Sequence, residues 1–142
     1  TGNVACGFLK GYGIKEGAVA LSVAHDSHNI IVVGVNDEEM EFAVNSLIAQ
    51  EGGIVLVKEG KVIEQMPMPI AGLMSDQSGE WVDEKLTSIH EKAYTELGIC
   101  GDVEPVMTLC FMSLAVIPEI KLTDMGLFDV TTFSFIPVEI SR

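Results

Sequence analysis

Two of the three histidines in this chain, His25 and His28, sit three residues apart, with Asp26 and Ser27 between them and Asn29 after them. Imidazole titrates near about 6.5, so a modest change of surroundings makes it a general acid or base at neutral pH, and neutral imidazole ligates metals. The stretch Ser22–Asn29 lies between two apolar runs, Ala18–Val23 and Ile30–Val35. A polar group buried without a partner costs roughly 1–3 kcal/mol. A polar knot between two buried strands is therefore the first place to look for chemistry.

Residues i and i+3 share a face on a helix but not on a strand, whereas a turn at Asp26-Ser27 lets both imidazoles converge. A catalytic zinc-type site needs a third protein ligand. His90, the remaining histidine, falls among charged residues of a helical segment, so no metal ligand set is assigned within this chain. Asp26, Ser27 and Asn29 are also the residue types that close a turn by bonding their own backbone. An acid–base or binding loop and a self-satisfied turn both remain open on residue types alone.

The other motifs carry less. Gly7-x-x-x-Gly11-x-Gly13 lacks the Gly-Lys-Ser/Thr of a phosphate loop and reads as tight turns. Pro67–Asp76, with Met68 and Met74, reads as a loop over the core or the wall of a pocket. Glu80, Asp83 and Glu84 are charges at a helix start. Cys6, Cys100 and Cys110 are odd in number and have no C-x-x-C spacing, which speaks against a disulfide framework or zinc knuckle. Cys6 and Cys110 are expected to be buried, inert thiols.

The elements that must hold the loop follow from periodicity. Val4–Leu9, Ala18–Val23 and Ile30–Val35 read as strands. Asn36 or Asp37 caps a helix whose apolar face is Met40, Ala43, Val44, Leu47 and Ile48, ended by Gly52-Gly53. Ile54–Lys58 and Lys61–Met66 pair about the Glu59-Gly60 turn. Ser78 caps a second helix with Val82, Leu86, Ile89, Ala93 and Leu97 on one face, stopped by Gly98. Val106–Ile117 alternates enough to suggest a strand. Leu122–Leu127 reads as a turn-bearing link. Thr132–Ile140 closes the chain as a strand with Phe133, Phe135 and Val138 inward. The expectation is one α/β domain of the α+β type, a mixed sheet of about six to eight strands with two main helices packed on it.

The formal net charge is −13 and the only arginine is Arg142. Such a surface repels nucleic acid and anionic membranes, and it offers no internal guanidinium to clamp a phosphate. No apolar stretch reaches the roughly 18 residues that span a bilayer, and no signal peptide is evident, which fits a cytoplasmic protein. A hydrophobic content of 48% and a mean hydropathy of +0.37 are high for a small domain. They point to a surface that packs on another subunit or domain. The opening Thr1-Gly2-Asn3 reads like the middle of a folded unit, so a piece of a larger protein is expected.

The blocks Thr1-Gly2-Asn3, Gly7-Phe8, Lys10-Gly11, Ser22–Asn29, Val33-Gly34 and Asn36-Asp37 resemble the C-terminal region of bacterial adenine deaminases, members of the amidohydrolase superfamily. Pro69–Ser75, Met107-Thr108-Leu109, Val116–Glu119 and Lys121–Leu127 continue the resemblance. It implies a larger enzyme that hydrolyses adenine to hypoxanthine and ammonia in purine salvage. A divalent metal, manganese or iron with zinc as the alternative, would activate the attacking water there. Its ligands would belong to a preceding (β/α)₈ barrel, which needs about 250 residues and cannot fit here. The implied partners are that barrel, adenine and further copies in a homo-oligomer. His25, Asp26 and His28 become candidates that border the active site, with Ser27 and Asn29 as candidate substrate contacts. The isolated chain is then expected to be inactive. The rival is a purely structural or oligomerisation domain without catalytic residues. A free-standing small-molecule binding module would require a complete gene product.

Overall fold

A computed structural model describes residues 2–25 and 27–139. Strands β1 (Ala18–Leu21), β2 (Ile31–Gly34), β3 (Gly53–Lys58) and β4 (Lys61–Pro67) form one antiparallel sheet in the order β2-β1-β3-β4. Helices α1 (Asp37–Ala49) and α2 (Gly79–Thr95) cover its two faces. Val19, Leu21, Ile54, Leu56 and Met66 meet Ile89, Ala93 and Leu97 of α2 on one side. Ala18, Ala20, Val55 and Val57 meet Ala43 and Leu47 of α1 on the other. This explains the uninterrupted apolar strands: with both faces covered, the usual period-two alternation disappears. A fully buried Leu or Ile contributes roughly 1.5–3 kcal/mol.

The caps fall where the residue types place them. Asn36 accepts the Glu39 amide at 2.8 Å, and Ser78 accepts the Trp81 amide at 3.3 Å. Glu64 of β4 ties α2 to the sheet. It accepts hydrogen bonds from Ser88 at 2.5 Å, Lys85 at 2.9 Å and Lys92 at 3.1 Å. Burial pushes its carboxyl up. The bonds from Ser88, Lys85, the Gln65 amide and Lys92 outweigh that and hold it down at about 2.

The α+β class is as expected, and the seven strands fall within the expected number, but they divide between two antiparallel sheets. The second sheet, β5 (Ile120–Thr123), β6 (Gly126–Asp129) and β7 (Ser134–Ile136), replaces the link anticipated at 122–127 with a hairpin. Thr123 makes that turn, donating to the Gly126 carbonyl and accepting the Met125 amide.

Val106–Ile117 is not a strand. Helix α3 (Pro105–Cys110) starts there, because Pro105 occupies its first turn and the Glu104 carboxylate accepts the Met107 amide. Val4–Leu9 forms no strand either and is largely exposed. Phe133, Phe135 and Val138 face outward. The two rings instead pack edge-on against Phe128, each 5.2 Å from it. Cys6 is exposed rather than buried. Cys110 is half-buried, and burial, helped by Glu104, pushes its thiol up. Among the described residues, no helix is long and apolar enough to cross a membrane.

Candidate functional site

The polar loop leaves β1 at Ser22. That hydroxyl accepts the Gly53 amide at 2.8 Å and donates to the Gly72 carbonyl at 2.5 Å. Gly52 makes this approach possible: it has φ +97°, and a Cβ there would come 2.6 Å from Gly72 Cα and 2.9 Å from Ser22 Oγ. The loop then turns tightly. The His28 amide donates to the Ala24 carbonyl at 2.9 Å, and His28 itself has φ +49°, a left-handed conformation that histidine enters more readily than most residues.

The far side of the loop is fastened to the end of α3. The His25 amide donates to the Cys110 carbonyl at 2.8 Å, and the His25 ring stacks on Phe111 with centroids 5.2 Å apart. Ser27 and Ser113 hydroxyls lie 3.0 Å apart. Asp26 lies outside the described residues.

The two histidines therefore have different settings. His28 and Asn29 line a cleft of about 690 Å³ between β2, α1 and the start of the second sheet. His25 is exposed, and its ring stacks on Phe111. The cleft wall is apolar, from Ile31, Val44, Ile48, Met112 and Leu122. Its polar groups include Asn3 and Asp124, joined at 3.2 Å, and Ser113. Apolar walls with a few convergent donors and acceptors are the ordinary make-up of a small-molecule cleft.

Reading the sequence missed Asn3, Ser113 and Asp124 as lining residues. Asn3 and Asp124 did stand inside blocks that carried the family resemblance. Ser113 carried no local signal, since only the α3 turn brings it beneath Ser27.

Among the described residues, no group of three or more His, Cys, Asp or Glu could hold a metal ion. His90 belongs elsewhere. Its Nε2 lies 2.6 Å from Glu104 Oε1 without hydrogen-bond alignment, a contact that links α2 to the start of α3. Tyr12 is buried beside it and donates to the Pro105 carbonyl at 2.8 Å. Burial, with Glu104 and Tyr94 adding, holds its phenol far above the usual range.

Residues 1–134 match the family described as "Adenine deaminase C-terminal domain". Among similar proteins, adenine deaminase 2 of Desulfotalea psychrophila is 76% identical over 139 residues, which is 98% of this chain and 24% of that protein. Adenine deaminases of Halalkalibacterium halodurans and Bacillus velezensis are 52% and 48% identical, over 98% and 96% of this chain and 24% and 23% of their own lengths. The chain thus spans about a quarter of the length of the curated relatives it matches.

Proposed function

The chain belongs to the adenine deaminase C-terminal domain family, and from this we propose that it is the last domain of a longer polypeptide that hydrolyses adenine to hypoxanthine and ammonia, as part of purine salvage. The observation that carries the reading is 76% identity to an adenine deaminase along 98% of the chain. The remaining three quarters of such a protein would supply a metal-binding barrel, with manganese, iron or zinc. In this reading the reacting metal is held there. A cytoplasmic location and assembly into a homo-oligomer belong to the same reading.

Within it, the loop at 22–29 borders the active site. His28 and Asn29 offer an imidazole and a carboxamide at an open cleft, the kind of donors and acceptors a purine edge needs. His25 and Ser27 act as positioning residues, fixing the loop on Phe111 and Ser113. Asp26 is retained as a candidate from its sequence position between them.

The test is kinetic. In the full-length protein, His28→Ala is expected to lower kcat/KM for adenine at least about tenfold, a modest value for losing one polar contact to a reacting substrate. Bound metal and the unfolding temperature should stay unchanged. His25→Ala is expected to act less. Wild-type kcat/KM in both variants would leave the domain a structural role only.

A further inference from the structure

Lys121, on β5, is 8% exposed, yet among the described residues it makes no hydrogen bond or ion pair. The other partly buried lysines are served: Lys58 reaches Glu16, while Lys85 and Lys92 reach Glu64. Lys121 instead lines a second cleft, of about 890 Å³, with apolar walls from Phe8, Tyr12, Ile31, Val33, Leu109 and Met112. Asp37 and Tyr12 are the other titratable groups of that cleft. Asp37 forms no ion pair with Lys121, and the Tyr12 hydroxyl is committed to Pro105. The stem of Lys121 is packed among apolar side chains and its ammonium has no countercharge among the described residues, a setting that an incoming carboxylate would complete.

We propose that Lys121 is the anchor of an interdomain ion pair, receiving a carboxylate side chain from the part of the polypeptide that precedes this chain. The inference rests on the reading that this chain is the C-terminal part of a longer protein. Three observations favour a protein carboxylate over a free anion. The relatives are about four times as long. Gly7, Phe8 and Leu9, through which a preceding chain would arrive, themselves line the cleft. Phe8 is 97% exposed and Val4 86%, an apolar surface that a second protein body would cover. The cleft also lies between β2 and β5, each an edge strand of its sheet.

The test uses the full-length protein and Lys121→Met, which keeps the apolar stem and deletes the charge. Removing one member of a buried pair strands the other, so the unfolding temperature is expected to fall by several degrees at pH 7. Lysine holds its partner carboxyl below the usual value of about 4.3, so the stabilisation is present above that pH and is lost on acidification. The deficit of Lys121→Met should therefore hold from pH 7 to about 4.3 and shrink as the pH falls below about 4, and Lys121→Arg should keep the wild-type pH dependence. A deficit that does not change with pH, or no deficit, overturns the proposal. So does added inorganic phosphate that stabilises the wild type and not Lys121→Met, which assigns the cleft to a free anion. Any of these failures, with adenine deamination intact, leaves the proposed function standing.

Discussion

The two sheets of this molecule carry their apolar residues in opposite ways. In the four-stranded sheet, every residue of β1 and five of the six in β3 are buried, closed over by α1 on one side and α2 on the other. In the three-stranded sheet and its β6–β7 turn, Ile120, Phe135 and the turn residue Phe133 are all more than half exposed, and the aromatic rings cluster on one another. The first region contains a finished core. The second, with the segment at 2–10, presents apolar surface of the kind that marks contact with another protein body. The polar loop at 22–29 sits at the border, rooted in the finished core by Ser22 and facing the unfinished side with His28 and Asn29.

The sharpest way to break that contrast is to cut one side chain from each sheet. Leu56→Ala should lower the unfolding free energy by about 2–5 kcal/mol, the usual range for truncating a fully buried leucine. Denaturant titration of this chain would read it. Equal losses at Leu56 and at the exposed sheet would mean that the two regions do not differ as described.

Glu64→Gln comes next, because it tests how the finished sheet holds α2. The folded carboxyl sits at about 2, below its ordinary 4.5. Its stabilisation is therefore complete above the ordinary value and is lost as pH falls through about 2. Glu64→Gln should cost about 1–2 kcal/mol near pH 7, allowing for solvent screening of the lysines, and should converge on the wild type in acid. Unfolding free energies between pH 2 and 7 would measure this. Phe133→Ala should have the smallest effect, under about 1 kcal/mol in this chain, since its ring is 77% exposed. A larger loss in the full-length protein than in this chain would sharpen the contrast, placing that ring at a contact with the rest of the polypeptide.

The same contrast explains what could be read from the residues. Both long helices, their caps Asn36 and Ser78, and the hairpin at 53–67 announce themselves locally, and the covered core reinforces each signal. The errors cluster on the other side. Val4–Leu9 has a strand's composition but no described sheet to join. The alternation in Val106–Ile117 yielded to Pro105 and the Glu104 cap, which start a helix. Phe133 and Phe135 read as inward because large aromatics usually are, but both remain more than half exposed and pack on Phe128 instead. The histidine pair was legible as a place. Its division, with His28 at the cleft and His25 stacked on Phe111, depends on α3 and could not be counted from spacing.

The proposal that most needs a direct test is that the border loop meets the purine in the full-length protein. Hydrogen–deuterium exchange of the full-length protein, with and without saturating hypoxanthine, tests it directly. Slower exchange is expected at the amides of residues 24–31 when the purine is bound, while β3 and α2 stay unchanged. Unaltered exchange across 24–31 under saturation would contradict it.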